Sequence, residues 1–407
     1  MVIILGMKER GMDMIISPKF RGFICTTAHP VGCEKNIRNQ IEYIKNQNFC
    51  KGPKNVLVIG ASTGYGLASR IAAAFGFGSK TVGIFFEKPA SKKTATAGWY
   101  NAAAFEKLAN EAGLYAKSIN GDAFSNEIKQ QTVELIKKDI GPIDLVIYSL
   151  ASPRRIDPFT GETYNSVLKP IGKDYTSKTV DFHTGQISDI SIEKATEDEI
   201  NNTVAVMGGE DWKIWLDTLK KEKLLSQNAL TLAYSYVGPE LTHAIYRDGT
   251  IGKAKDHLEA TARDITQILN DISGRAYVSV NKAVVTQASS AIPVVPLYVS
   301  ILFKTMKTKG IHEGCIEQMG RLLKSLYDKT VKIDDRGRIR IDDLEMREDV
   351  QNEVLDTWKI IRSDNINDIS DIEGYRHEFF NLFGFSIDGV DYDNDVDINV
   401  DIPSIKI

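Results

Sequence analysis

The heptapeptide Gly60-Ala-Ser-Thr-Gly64-Tyr-Gly66 lies between a short apolar run, Asn55-Val-Leu-Val-Ile59, and a stretch in which Leu67, Ile71, Ala74 and Phe75 recur at helical spacing. An apolar run that stops at a glycine is what a parallel strand buried on both faces requires. In the turn that follows, Gly60 allows a tight reversal, Gly64 lets backbone approach a pyrophosphate, and Gly66 lets helix pack closely on strand. The helix start behind them offers unpaired N–H groups to an anion. A glycine triplet alone is a weak signal, and an ordinary strand-to-helix turn is the competing reading. The flanking strand and helix favour a dinucleotide site. Gly60, Ala61, Ser62, Thr63, Gly64, Tyr65 and Gly66 are therefore candidate cofactor-binding residues.

The same unit repeats along the chain. Thr81–Glu87 reads as a second strand, Ala102–Ala112 as a helix and Tyr115–Ile119 as a third strand. Ile128, Val133, Leu135 and Ile136 mark the next helix, and Ile143–Ala151 reads as a fourth strand. This βαβαβαβ order predicts an α/β fold, a Rossmann-type doubly wound parallel sheet with right-handed crossovers. The alternation pauses over 153–227. A hairpin is predicted there, with Lys178–His183 and Ile187–Ile190 around Thr184-Gly-Gln, followed by a polar helix through Trp212, Trp215 and Leu219. Strands resume at Ala229–Val237 and Ala276–Val280, with a helix through Leu258, Ala262, Ile265, Leu269 and Ile272 between them, and a long helical stretch follows over about 297–327. The expected organisation is an N-terminal appendage (1–52), a first part of the core (53–152), a lid insertion (153–227), a second part of the core (228–330) and a C-terminal appendage (331–407). Alternating acidic and apolar residues from Ile387 to Asp401 suit either an edge strand or a solvated tail.

Charge and composition narrow the function. With 50 basic and 54 acidic residues the net charge is -4, which argues against nucleic-acid binding, because phosphates call for a basic excess. Cys25, Cys33, Cys50 and Cys315 are too scattered for a disulfide framework, and Cys25-x7-Cys33 with His29 matches no ordinary metal knuckle, so no metal is expected. The apolar start Met1–Leu5 is short for a signal-peptide core and is followed at once by Lys8, Glu9 and Arg10. Residues 283–303 carry no charge over a span that could cross a bilayer. Pro293 and Pro296 interrupt them, and Thr286, Gln287, Ser289 and Ser290 crowd the first half, so a buried strand, a polar turn and a helix are expected instead. A cytoplasmic protein with no membrane partner is the expectation.

Glu87 stands about twenty residues past the glycine loop, where an acid accepts the ribose hydroxyls of NAD and repels a 2′-phosphate. Lys88, Lys92 and Lys93 favour NADP or form a solvated loop. The strand-end position of Glu87 favours NADH, with Phe86 beside it in the cofactor-binding set. Asp122 and Ala123 follow the third strand and are placed to meet the adenine. Leu150 and Ala151 end the fourth, beside the expected nicotinamide ribose. Short-chain dehydrogenases of this topology carry a tyrosine and a lysine after the fifth strand. The tyrosine polarises the substrate oxygen, and the lysine binds ribose and makes the phenol more acidic. Their usual Tyr-x3-Lys spacing is missing here. Tyr246-x8-Lys255 stands instead, with Tyr236 ten residues earlier in Ser235-Tyr-Val-Gly-Pro.

Together with Arg21-Gly-Phe-Ile-Cys-Thr-Thr-Ala-His-Pro-Val-Gly-Cys33, Tyr148-Ser-Leu-Ala-Ser-Pro153, Lys282-Ala-Val-Val-Thr-Gln-Ala-Ser-Ser-Ala-Ile-Pro293 and Phe383-Gly-Phe, these features closely resemble the FabV-type trans-2-enoyl thioester reductases, over nearly the whole chain. The resemblance implies that Tyr246 is the proton donor, that Lys255 holds the cofactor ribose, that Tyr236 contacts the substrate thioester and that Val284, Val285 and Thr286 line the nicotinamide. It implies a monomer that reduces trans-2-enoyl-CoA with NADH, with enoyl-acyl-carrier-protein as the alternative substrate. Two rivals are weighed. A ketone or alcohol dehydrogenase on this fold is expected to use Tyr-x3-Lys with a preceding serine, which is missing. An NAD-binding sensor could lose the tyrosine and lysine, and both stand. Arg154 and Arg155 suit either a CoA phosphate or a solvated surface. His243 and His257 read as surface residues.

Overall fold

The computed structural model describes residues 13–21 and 24–405. The apolar start Met1–Leu5, and Gly22 and Phe23 of the first quoted motif, lie outside the described residues. Seven parallel strands form the central sheet: β1 (Asn55–Ile59), β2 (Lys80–Phe85), β3 (Ala116–Asn120), β4 (Ile143–Tyr148), β5 (Leu225–Ser235), β6 (Arg275–Val280) and β7 (Ile339–Arg340), in the spatial order β7-β6-β5-β4-β1-β2-β3. The order reverses between β1 and β4, and the crevice beyond the carboxyl ends of strands at such a reversal is where ligands of open α/β sheets bind. Both faces are covered, as the unbroken apolar strands require. Val56 and Val58 point into one core with the helices Gly64–Ile71, Ala97–Glu111, Val295–Thr308 and Cys315–Tyr327. Leu57 and Ile59 point into the other, with Asn126–Asp139, Glu210–Lys221 and Thr250–Ile268.

Several predicted elements change at their ends. The second strand stops at Phe85, two residues before Glu87. The stretch predicted as one helix over about 297–327 is two, because Gly310 turns left-handed (φ +66) and Ile311 N–H closes back on Met306 O. The buried strand expected at the start of 283–303 is not one: β6 ends at Val280, and Ala283, Val284 and Val285 are buried in irregular backbone. A turn, Ser289–Ala291, and the helix Val295–Thr308 then follow as predicted. Among the described residues no helix is long and apolar enough to cross a membrane.

The predicted hairpin is present as Tyr175–Asp181 paired antiparallel with Gln186–Ile192. It packs on the Val295–Thr308 helix, and Lys178 Nζ donates to Trp358 O at 2.8 Å. The helix with the two tryptophans belongs to the sheet. Trp212 Nε1 donates to Thr231 Oγ1 on β5 at 2.8 Å and Trp215 Nε1 to Ala123 O at 3.1 Å. The C-terminal alternation is neither a free tail nor a long edge strand. Val396–Asp397 pairs with Asp13–Met14, and the chain then crosses the Ala97–Glu111 helix, where Tyr100 OH donates to Ile398 O at 2.8 Å and Trp99 Nε1 to Val400 O at 2.7 Å.

Candidate active site

The glycine loop leaves β1 at the reversal of strand order. Gly60 is left-handed (φ +88), and a Cβ there would lie 2.0 Å from Ser149 O on the loop after β4. A Cβ on Gly66 would lie 1.9 Å from Gly60 O. The loop is thus folded on itself so tightly that only hydrogen fits at either position, which leaves room for a diphosphate at the start of the Gly64–Ile71 helix. A cavity of about 210 Å³ opens there, lined among others by Thr63, Gly64, Val285 and Thr286. Thr286 Cγ2 lies 3.7 Å from where a Gly64 Cβ would be, so the loop after β1 and the segment after β6 meet. Ser289 Oγ donates to Val284 O at 2.9 Å, which holds that segment in place.

Glu87 turns back toward the loop. Ser62 Oγ donates to its Oε1 at 2.7 Å, and its backbone is pinned by Asn120 on both sides, through Glu87 N to Asn120 Oδ1 at 2.7 Å and Asn120 Nδ2 to Glu87 O at 3.0 Å. Burial raises the carboxyl pKa, opposed by hydrogen bonds from Thr96 and Ser62. Phe86 beside it is exposed, as are Lys88, Lys92 and Lys93. Asp122 accepts Phe124 N–H at 3.0 Å and opens the turn after β3, where Ala123 is buried. Leu150 and Ala151 follow β4 with no regular structure.

Tyr236 is the first residue beyond β5, and Tyr246 ends the Glu240–Tyr246 helix. Their rings meet edge to face, with centroids 4.7 Å apart and planes at 85°. Lys255 lies on the next helix, Thr250–Ile268. Burial lowers its ammonium pKa to about 8, with Glu259 partly opposing. Burial, then Tyr375 and Glu345, push the Tyr246 phenol up. A phenol raised in this way stays neutral.

Glu345 has no counterpart among the predicted site residues. It is fully buried, and it accepts Tyr236 OH at 2.9 Å, Tyr298 OH at 2.6 Å and Ala283 N–H at 2.7 Å. Burial raises its pKa, and Lys282 partly opposes this. Its local sequence, Ile341-Asp-Asp-Leu-Glu-Met-Arg, reads as a charged surface turn and carries no signal of such a role. Arg155 is not a surface residue and is not free for a phosphate. It is buried, with Nη1 at 2.6 Å from Glu210 Oε2 and 2.7 Å from Ala205 O, whereas Arg154 is exposed. His257 is likewise occupied, accepting Gly209 N–H on Nδ1 at 3.0 Å.

Comparison with known proteins matches residues 93–327 to the family profile described as the trans-2-enoyl-CoA reductase catalytic region, and residues 15–92 to the NAD(P)H binding domain of trans-2-enoyl-CoA reductase. The chain belongs to the trans-2-enoyl-CoA reductase family. A trans-2-enoyl-CoA reductase (NADH) from Ruminiclostridium cellulolyticum is 67% identical over 96% of this chain and 100% of its own length. An enoyl-acyl-carrier-protein reductase (NADH) from Flavobacterium johnsoniae is 64% identical over 97% of this chain and 100% of its own. The crystal structure of Treponema denticola trans-2-enoyl-CoA reductase in complex with NAD superposes with a TM-score of 0.91 at 51% identity, over 96% of this chain and 100% of that one.

Residues 333–396 match a profile described as an enoyl reductase FAD binding domain. In this trans-2-enoyl-CoA reductase family member the segment does not fit a flavin dinucleotide. A Cβ on Gly374 would strike the Asp371 carboxylate, and one on Gly384 the backbone of His29 and Cys33, so these glycines close a helix cap and a packing contact instead of cradling phosphate. Val350, Val354, Tyr375 and Phe379 are packed in the core. What the segment does bring to the site is Glu345.

Proposed function

We propose that this chain reduces the C2=C3 double bond of trans-2-enoyl thioesters, with NADH as cosubstrate. The observation that carries the chemistry is the edge-to-face pair of Tyr236 and Tyr246 at the carboxyl end of the sheet, beyond the strand next to the one that carries the Ser149–Ala151 loop. Bound NADH supplies the hydride that adds to C3. Electron density then collects on the thioester oxygen as an enolate, and a neutral Tyr246 phenol stabilises that oxygen with a hydrogen bond that strengthens as charge develops. Protonation at C2 completes the reduction. Lys255 binds ribose, Tyr236 meets the thioester, and Val284, Val285 and Thr286 flank the nicotinamide. The carrier is CoA, with acyl carrier protein as the alternative, and the working unit is one chain. Loss of NADH absorbance with crotonyl-CoA, run beside crotonyl-acyl-carrier-protein, acetoacetyl-CoA and no acceptor, tests the reading. Oxidation with acetoacetyl-CoA alone would mark a ketone reductase, and a dimer-sized species in sedimentation would contradict the single chain.

Glu87 selects NADH by accepting the 2′-hydroxyl and repelling a 2′-phosphate. Glu87→Ala should narrow the ratio of kcat/KM with NADH to that with NADPH, helped by the exposed Lys88, Lys92 and Lys93. A wild type that already prefers NADPH would defeat this.

Lys255 makes cofactor binding pH-dependent. Its depressed ammonium keeps its proton below about pH 8 and loses it above. The charge available to the ribose and diphosphate is therefore present at low pH and lost as pH rises. NADH affinity, read by fluorescence, should fall by up to about tenfold per pH unit above that point. Lys255→Arg should flatten the profile, because guanidinium stays charged. An unchanged wild-type affinity to about pH 9 would count against the assignment.

The hairpin within 153–227 and the segment Ile292–Lys309 form the substrate lid. About 75 residues separate the fourth and fifth strands, far more than that connection needs. Thr179 Oγ1 on the hairpin donates to Pro293 O, which ties the two pieces together. Ile292→Phe should penalise long enoyl chains more than crotonyl. Equal penalties at every chain length would rule out contact between this segment and the acyl chain.

A further inference from the structure

Tyr236, Tyr298 and Ala283 lie on three different elements, and all three donate to the one carboxylate of Glu345. Tyr236 follows β5 and stands against Tyr246. Ala283 leads into Val284, Val285 and Thr286. Tyr298 lies on the helix Val295–Thr308. The carboxylate is held in turn from behind, since Gln351 Nε2 donates to Glu345 O at 2.7 Å and approaches Tyr298 OH at 3.3 Å. Lys282 Nζ is spent on Ala283 O at 2.7 Å and forms no ion pair with Glu345 among the described residues. A carboxylate this deeply buried without a bonded cation is a poor choice for stability alone, because its desolvation is met by three neutral donors and only partly by the unbonded charge of Lys282. Its geometry does something else. By accepting the Tyr236 O–H, it fixes the rotation of that hydroxyl and leaves the oxygen lone pairs, not the proton, facing the rest of the site.

We infer that Glu345 is a positioning residue for the reduction, which orients the Tyr236 hydroxyl against Tyr246 and the thioester and locks the segment after β6 in register with it. This rests on the reading of Tyr236 as a thioester contact. With its own proton committed to Glu345, Tyr236 meets the substrate as a wall, and Tyr246 is left as the donor to the thioester oxygen.

Glu345→Gln keeps the shape; because Ala283 N–H can only donate, the amide oxygen stays at the Oε2 position and N–H₂ replaces Oε1, where the hydroxyls of Tyr236 and Tyr298 both lose their acceptor. Expected is a rise of about tenfold or more in KM for crotonyl-CoA, with NADH affinity within about twofold and a retained cooperative melt. A merely structural role would weaken NADH binding and crotonyl-CoA kinetics together. The deciding measurement is a double-mutant cycle with Tyr236→Phe. If Glu345 acts through Tyr236, the double variant is no worse than the more impaired single variant. Multiplying penalties, or Glu345→Gln kinetics within about twofold of wild type, overturn the inference. Should the Gln variant fail to fold, Glu345→Asp retains the charge and withdraws it from Tyr236. It should show the same KM rise, and wild-type KM in that variant overturns the inference equally. A wild type without crotonyl-CoA activity would instead remove the proposed function, and is scored first.

Discussion

Replacing Tyr246 by phenylalanine is expected to lower kcat with crotonyl-CoA by about two to four orders of magnitude while NADH still binds. The substitution removes one hydroxyl and leaves the ring that packs on Tyr236 at 4.7 Å, so the fold and the cofactor loop lose nothing. On the proposed reading, what disappears is the donor at the oxygen where charge develops. Its pKa, pushed up by burial, keeps that donor neutral across the working pH range, so no deprotonated form competes with it. Lys255→Ala should weaken NADH as well as turnover, and Tyr236→Phe should raise KM for the thioester more than it weakens NADH. Stopped-flow hydride transfer separates these effects. Near-normal turnover in Tyr246→Phe would make Tyr236 the next candidate donor.

Gly66→Ala is the second large effect. In a helix, alanine in place of glycine normally stabilises by about 1 kcal/mol. Here the added methyl would stand 1.9 Å from Gly60 O and 3.3 Å from Ser149 Cβ, and the first of these neighbours is backbone that cannot rotate away. Overpacking of this kind costs about 1–3 kcal/mol or more. The clash therefore wins over propensity, and the loop must open to relieve it. We expect a lower Tm and at least about a tenfold loss of NADH affinity, read by thermal melt and fluorescence titration. An unchanged Tm with unchanged affinity would show that the loop is slacker than its geometry indicates.

The parallel sheet, its order of strands and helices, the glycine loop and the acid near the end of β2 were all legible in the chain, because each is a local demand. A strand buried on both faces must be apolar throughout, and a diphosphate turn must lack Cβ atoms. Where local pattern competes with tertiary contact, the reading slipped. Val284 and Val285 have strand composition but lie beyond the sheet's edge, since the segment is held by Ser289 and Glu345 instead of by a neighbouring strand. The run from 297 to 327 is apolar enough for one helix, and Gly310 divides it. Arg155 carries the charge of a surface residue and is buried, paired with Glu210 55 positions away. Glu345 is the sharpest case. Nothing near it in the chain marks it out, and its partner Tyr236 lies 109 positions away on the far side of β6. Residue type and spacing by themselves picked out the candidates for dinucleotide binding and proton donation. Only the tertiary structure decided which buried carboxylate fixes Tyr236, because a hydrogen bond between distant segments leaves no period or spacing in the sequence.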